Sequence, residues 1–141
     1  MMRVVLDTNV LISGTVWSGA SYRLLKLIDE NKLTLVTSPQ ILQEYLRVTQ
    51  SDEILEKPTD EQRNAALAAI HKLLLNASVT EPTIRIKAVK ADPDDDKIIE
   101  AAVAGQASHI ITQDKHLLAL KNHGQIQITT PETFLRQTNP Q

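Results

Sequence analysis

The sequence predicts an α/β fold: a mostly parallel sheet with helices on both faces. Three observations carry this. An apolar run begins at Met2 and stops abruptly at Asp7, as suits a strand buried on both sides. Shorter apolar runs follow at Leu33–Val36, Ile110–Ile111 and Gln125–Thr129. Between them lie stretches of helical period, and alternation of this kind is the mark of parallel strands joined by crossover helices. At 141 residues, the chain is long enough for one domain with a real core, spanning residues 1–141.

The elements follow in order. After the first strand, Ser13 to Ser21 reads as a loop with Gly14, Gly19 and an isolated Trp17. Tyr22 to Glu30 reads as a helix with Tyr22, Leu25 and Ile28 in register. Leu33 to Val36 is a strand. Ser38-Pro39 then announces a helix, with serine as N-cap and proline in the first turn. Its apolar stripe is Ile41, Leu42, Tyr45, Leu46 and Val48, and Glu44 flanks that stripe. Ser51 to Lys57 reads as a short helical piece. Thr59 to Gln62 has the capping-box pattern and opens an amphipathic helix to about Leu75. Its inner face is Ala66, Leu67, Ile70, Leu73 and Leu74. Val79 to Ile86 is weakly extended and broken by Pro82. Asp94 to Gly105 is a helix with acids at its start and glycine at its end. Ile110-Ile111 is a strand, Lys115 to Leu120 a short helix, and Gln125 to Thr129 a last strand. Thr130-Pro131 caps a C-terminal helix holding Phe134 and Leu135.

Composition removes several function classes. There are no cysteines, so disulfides, thiolate metal sites and a cysteine nucleophile are excluded. No apolar run approaches a membrane span, and Asp7 interrupts any leader-like start, which fits a cytoplasmic protein. With 15 basic and 17 acidic residues the formal charge is −2, which is no nucleic-acid footprint by itself. The four glycines are scattered, and nothing resembles a phosphate-binding loop. The four histidines lack zinc-ligand spacing, and Ser13 and Ser38 lack a histidine partner.

What remains is acidic. In a parallel sheet the strand-to-helix turns fall on one edge, where open α/β folds hold their ligands. Asp7 follows the first strand, Asp114 follows the strand at Ile111, and Asp96 lies in the first turns of the helix after the acidic run. Glu44 sits in the second turn of the helix after the second strand. Asp96 and Glu100 lie one helical turn apart on one face. They border the stripe of Ile98, Ile99, Ala102 and Val103, so they are read as looking into a cleft, with Glu100 a candidate fifth acid. Each acid also has a plainer reading. Asp114 suits an N-cap, Asp94 to Asp96 suit first-turn acids favoured by the helix dipole, Asp7 suits a turn, and Glu44 suits a solvated helix face.

Four carboxylates in one pocket resist ionising together, and divalent cations are the natural compensation. Oxygen-only donors favour Mg²⁺ or Mn²⁺ over zinc. Such a site suits phosphodiester hydrolysis.

The blocks that hold these acids carry a family resemblance. They are Leu6-Asp7-Thr8-Asn9-Val10-Leu11-Ile12-Ser13, Thr37-Ser38-Pro39 with Glu44, Asp92-Pro93-Asp94-Asp95-Asp96-Lys97-Ile98-Ile99-Glu100-Ala101-Ala102, and Ile110-Ile111-Thr112-Gln113-Asp114-Lys115-His116-Leu117. In this order they resemble the PIN-domain family, in particular its branch of bacterial toxin–antitoxin systems. The resemblance implies a three-layer α/β/α fold and a metal-dependent ribonuclease. Asp7 and Asp96 would bind the metal directly. Glu44 and Asp114 would act through water or orient the attacking one, with Asn9 and Thr112 as polar supports. Because the Asp94-Asp95-Asp96 run leaves the register open, Asp96 is taken for its shared face with Glu100. The resemblance further implies an RNA substrate, products with a 5′-phosphate, a homodimer and a small antitoxin partner. Arg23, Lys26, Arg85, Lys87, Lys90, Lys115 and Lys121 are candidates for RNA contact, against the plainer reading of scattered surface charge. A receiver-like regulatory domain fits less well, since the first strand ends in one acid and the second in none. A PIN fold serving only as an RNA-binding module is the other alternative.

Overall fold

A computed structural model of the chain describes residues 1–14, 19–49, 60–89 and 92–138. Six strands form one sheet in the order β3-β2-β1-β4-β6-β5. The central strand β1 (Arg3–Leu6) runs parallel to β2 (Thr34–Thr37) on one side and to β4 (His109–Ile111) on the other. The β3 strand (Ser78–Val79) extends the β2 side, and β6 (Ile126–Thr129) extends the β4 side, both in parallel. Only β5 (Asn122–His123) is antiparallel, paired with β6 at the edge. The mixed α/β architecture is the expected one.

The side-chain period of two splits the core between the faces. Val4, Leu6, Leu35 and Ile111 pack on one face with α1 (Thr8–Ser13), α2 (Ala20–Asp29) and Phe134 of α7 (Pro131–Thr138). Ile70 and Leu73 of α4 (Asp60–Leu75) close that layer. Val5, Val36, Ile110 and Ile128 pack on the other face, against Ile98, Ile99, Ala101 and Ala102 of α5 (Asp96–Ala104) and Leu117 of α6 (Lys115–Leu118). Ile41 of α3 (Pro39–Thr49) joins this second cluster, while Tyr45, one turn on, joins the first.

Several local readings change. Thr8 to Ser13, between the first strand and the expected loop, is a short helix whose Val10, Leu11 and Ile12 join the core. Leu46 is 51% exposed and lies off the α3 stripe. The start of the acidic helix is divided: Pro93–Asp95 forms a 3₁₀ turn and α5 proper begins at Asp96. Beyond β3, residues 80–89 run without regular structure. Ser38 and Thr130 cap as expected, accepting from the backbone N–H of Ile41 at 3.3 Å and of Thr133 at 3.1 Å. The expected helical piece at 51–57, Trp17 and Thr59 of the capping box lie outside the described residues. Among those residues no helix is long and apolar enough to cross a membrane.

Candidate metal centre

The chain leaves β1 toward β2 on one side, while β4 flanks β1 on the other. The carboxyl ends of β1 and β4 therefore frame the switch point of the sheet, where open α/β folds leave a crevice. Asp7 ends β1 there. Its backbone N–H continues the ladder, donating to the Ile111 carbonyl at 3.1 Å. Its side chain is only 8% exposed, so its charge needs compensation. Thr112, fully buried at the end of β4, donates its hydroxyl to Asp7 Oδ2 at 2.9 Å. The same hydroxyl accepts the backbone N–H of Asp114 at 2.9 Å, tying the two acids to one threonine. Asp114 starts α6, with Oδ1 accepting from the N–H of His116 at 2.7 Å and of Leu117 at 3.3 Å.

The third acid of this group is Asp95. Asp92 accepts from the N–H of Asp94 at 3.2 Å and, with Pro93, sets the 3₁₀ turn that carries Asp95 to the start of α5. Asp95 lies within electrostatic reach of Asp114, Asp92 and Asp7. One oxygen each from Asp92, Asp95 and Asp114 and a ring nitrogen of His116 lie within 4.8 Å of one another. Asp95 Oδ2 is buried and has no hydrogen-bond partner. Burial first, then the carboxylates of Asp114, Asp92 and Asp7, push its carboxyl up to about 7. Asp7 is raised as well. Burial is the main cause; the Thr112 hydroxyl works against it, and Glu44 and Asp114 add to it. Asp7, Asp95 and Asp114 all stand at the N-cap positions of helices, α1, α5 and α6.

Glu44 borders the group from α3. Its Oε2 accepts from the Thr8 hydroxyl at 2.8 Å, and its Oε1 pairs with Lys97 Nζ at 3.2 Å. Lys97 also meets Asp94 at 3.1 Å. Burial pulls the Lys97 ammonium down, but Asp94 and Glu44 outweigh it, and its pKa is raised.

Asp96 points elsewhere. It is 8% exposed, and its Oδ1 accepts from the backbone N–H of Ala88 at 3.0 Å and of Val89 at 2.8 Å. Glu100 does the same one turn on, accepting from the N–H of Ile86 at 2.8 Å. The match is geometric: four helical residues rise about 6 Å, and two residues of extended chain span roughly 6.6 Å. Two acids at i and i+4 therefore catch alternate amides of segment 86–89. The shared face of Asp96 and Glu100 is real, but it clasps polypeptide. Of the four acids expected from sequence, the structure brings Asp7 and Asp114 together with Glu44 at their border. Asp95, the neighbour of Asp96, lies within electrostatic reach of Asp7 and Asp114. Asp92, His116 and Lys97 were not anticipated. The signal for Asp95 was Asp92-Pro93, which favours a turn and delays the α-helix by one step.

With oxygen donors predominating and one buried carboxylate oxygen without a donor, this group suits a hard divalent cation. A sequence profile for the PIN domain matches residues 3–116. An uncharacterized protein of Methanocaldococcus jannaschii, MJ1680, is 31% identical over 149 aligned residues, covering 96% of this chain and 91% of that protein. Two solved structures share the fold. One is PAE2754 from Pyrobaculum aerophilum, with a TM-score of 0.64 and 18% identity over 99% of this chain and 98% of that one. The other is VapBC2 from Rickettsia felis bound to a DNA fragment from their promoter. Its TM-score is 0.56, with 16% identity over 90% of this chain and 97% of that one.

Proposed function

The chain belongs to the PIN-domain family, and we propose that it is a Mg²⁺- or Mn²⁺-dependent ribonuclease that hydrolyses RNA phosphodiester bonds. PIN domains are generally nucleases and usually use a divalent metal. The observation that carries the reading is the meeting of Asp7, Asp95 and Asp114 at three helix starts, with one buried oxygen of Asp95 left without a donor.

In this reading Asp7, Asp95 and Asp114 hold the cation, and Asp96 is relieved of that role by its two backbone amides. A bound divalent cation supplies an activated water and stabilises the attacking and leaving oxygens. The chain's own residues do the rest. Thr112 aims Asp7 and fixes the start of the Asp114 loop. Thr8 aims Glu44, which stands beside Asp7 and orients the attacking water. Lys97 holds Glu44 against the start of α5.

The Rickettsia felis neighbour is a VapBC pair on its promoter DNA. By analogy we assign this chain the toxin role, with a small antitoxin partner and a homodimeric assembly. Co-purification with the product of an adjacent short reading frame supports that assignment, and a chain that stays free when the two are co-expressed counts against it.

The test is cleavage of a labelled unstructured RNA in Mg²⁺, Mn²⁺ and EDTA by wild type and Asp7→Asn. Wild type is expected to cut in either metal and not in EDTA, and Asp7→Asn to stay folded and inactive. Equal cleavage by both proteins refutes the assignment. RNA binding without cleavage by wild type supports the binding-module alternative instead.

A further inference from the structure

The helix α3 and the extended segment 82–89 face each other across a groove of about 1110 Å³ that also reaches the start of α5. Its lining includes Glu44, which is bonded to Thr8, the residue next to Asp7. The groove and the acid pocket therefore share a wall. Eight charged side chains line it, four of each sign. Their exposure decides which sign faces solvent. Asp96 and Glu100 are taken by the backbone amides of Ile86, Ala88 and Val89. Glu44 and Asp94 share the single charge of Lys97. Arg47 reaches Glu44 only at 3.9 Å and keeps 73% of its side chain exposed. Arg85 and Lys87 are exposed, and among the described residues neither is paired with a carboxylate. The lining carries no net charge, but its exposed charged residues are Arg47, Arg85, Lys87 and Asp94, three bases to one acid.

We propose that this groove seats the sugar–phosphate backbone of a single-stranded RNA on Arg47, Arg85 and Lys87 and leads it past Glu44 to the acid pocket. The choice of ligand rests on the nuclease reading; the groove and its charge do not. A concave seat with backbone-tracking cations suits a single strand, whereas duplexes are engaged by elements that protrude into their grooves. The clasp of Asp96 and Glu100 then has a purpose. It holds segment 86–89 flat against α5, so Arg85 and Lys87 sit on a fixed wall. These two acids are positioning residues.

The experiment measures binding of a fluorescent oligouridine by anisotropy in EDTA, where no cleavage occurs, across 50–200 mM salt. Wild type is compared with Arg85→Ala/Lys87→Ala and with Arg23→Ala/Lys26→Ala, which removes the same charge from α2. Each lost phosphate contact lowers the salt slope of a single strand by about 0.7. The groove variant is expected to bind on the order of tenfold more weakly at 100 mM, with a slope shallower by about 1.4. The α2 variant is expected to match wild type. Equal weakening of both variants overturns the proposal, as does an unchanged groove variant or tighter binding of a duplex of equal length. Wild type that fails to bind the oligouridine overturns it too. Cleavage that depends on Asp7 while the groove variant binds normally leaves the nuclease reading standing and removes only the groove.

Discussion

Exchanging Asp95 and Asp96 one at a time separates two roles that are adjacent in sequence. Asp95→Asn removes one of the charges crowded with Asp7, Asp92 and Asp114. The rise of its pKa from 3.8 to about 7 bounds the cost of ionising it at about 4 kcal/mol. Water at the pocket mouth trims this to about 1–2 kcal/mol. Without metal at pH 8, Asp95→Asn should therefore be more stable than wild type by about 1–2 kcal/mol, or about 3–8 °C in Tm. Asp96→Asn should move the other way. Its two bonds to Ala88 and Val89 lose their charge assistance, and charged acceptors bind roughly twice as strongly as neutral ones. A loss of about 1–2 kcal/mol follows. The assay is a thermal melt of each protein with and without Mn²⁺, paired with RNA cleavage. Asp95→Asn should lose both the metal-induced rise in Tm and the cleavage. Asp96→Asn should keep the metal response, with cleavage reduced only as far as the fold is weakened. The reverse pattern, a lost metal response in Asp96→Asn and a retained one in Asp95→Asn, refutes the reasoning.

Three further outcomes are expected. Folded Asp95 keeps a proton that the unfolded chain releases above about pH 4. Its contribution to metal-free stability must therefore fall as pH rises from about 4 to about 7 and then level off; parallel pH curves for wild type and Asp95→Asn contradict this. Thr112→Val removes the donor to Asp7 and the acceptor for the Asp114 N–H. It should cost about 1–3 kcal/mol in urea denaturation and weaken Mn²⁺ binding by titration, and undiminished metal affinity counts against threonine as the tie. Gly105→Ala would drive a methyl group into Val36 Cγ1 and to 2.8 Å from Thr80 Cγ2, where α5 closes on the sheet. A lower urea midpoint, worth about 1–3 kcal/mol, is the expected result, and an unchanged midpoint shows that this junction can yield.

The fold was legible because its signals are local and redundant. Apolar runs of strand length, serine-proline and threonine-proline starts, and glycine after Ala104 each mark an element without help from the rest. Where packing decides, the reading slipped. No pattern marks an element just after Asp7, yet Val10 to Ile12 pack into the core as part of α1. Leu46 shares a helical stripe with Tyr45 in sequence yet is half exposed. In the acidic run, three adjacent aspartates differ by about 100° each around a helix. A single 3₁₀ turn before α5 therefore changes which of them meets Asp7 and which meets the backbone of Ala88. The partners of Asp96 and Glu100 are main-chain amides, which carry no sequence signature.

The cost of the pocket argues for its use. Each of its three central acids stands at a helix start, where the dipole favours negative charge. That help is worth about 0.3–1 kcal/mol per helix end, and α1 and α6 are only six and four residues long. It does not hold Asp95 in the ordinary carboxylate range, since its carboxyl still stands at about 7, nor Asp7, which is raised too. A fold selected for stability alone would replace one of these acids with a neutral cap such as serine or asparagine, at little cost to the helix. Asp96 shows the contrast: as buried as Asp7, it is matched by two amides in the protein itself. Asp7 and Asp95 are only partly matched from within, and a cation is the ligand that would complete the balance. Replacing Asp95 should accordingly strengthen the metal-free fold while removing the function, the opposite of what a structural acid does.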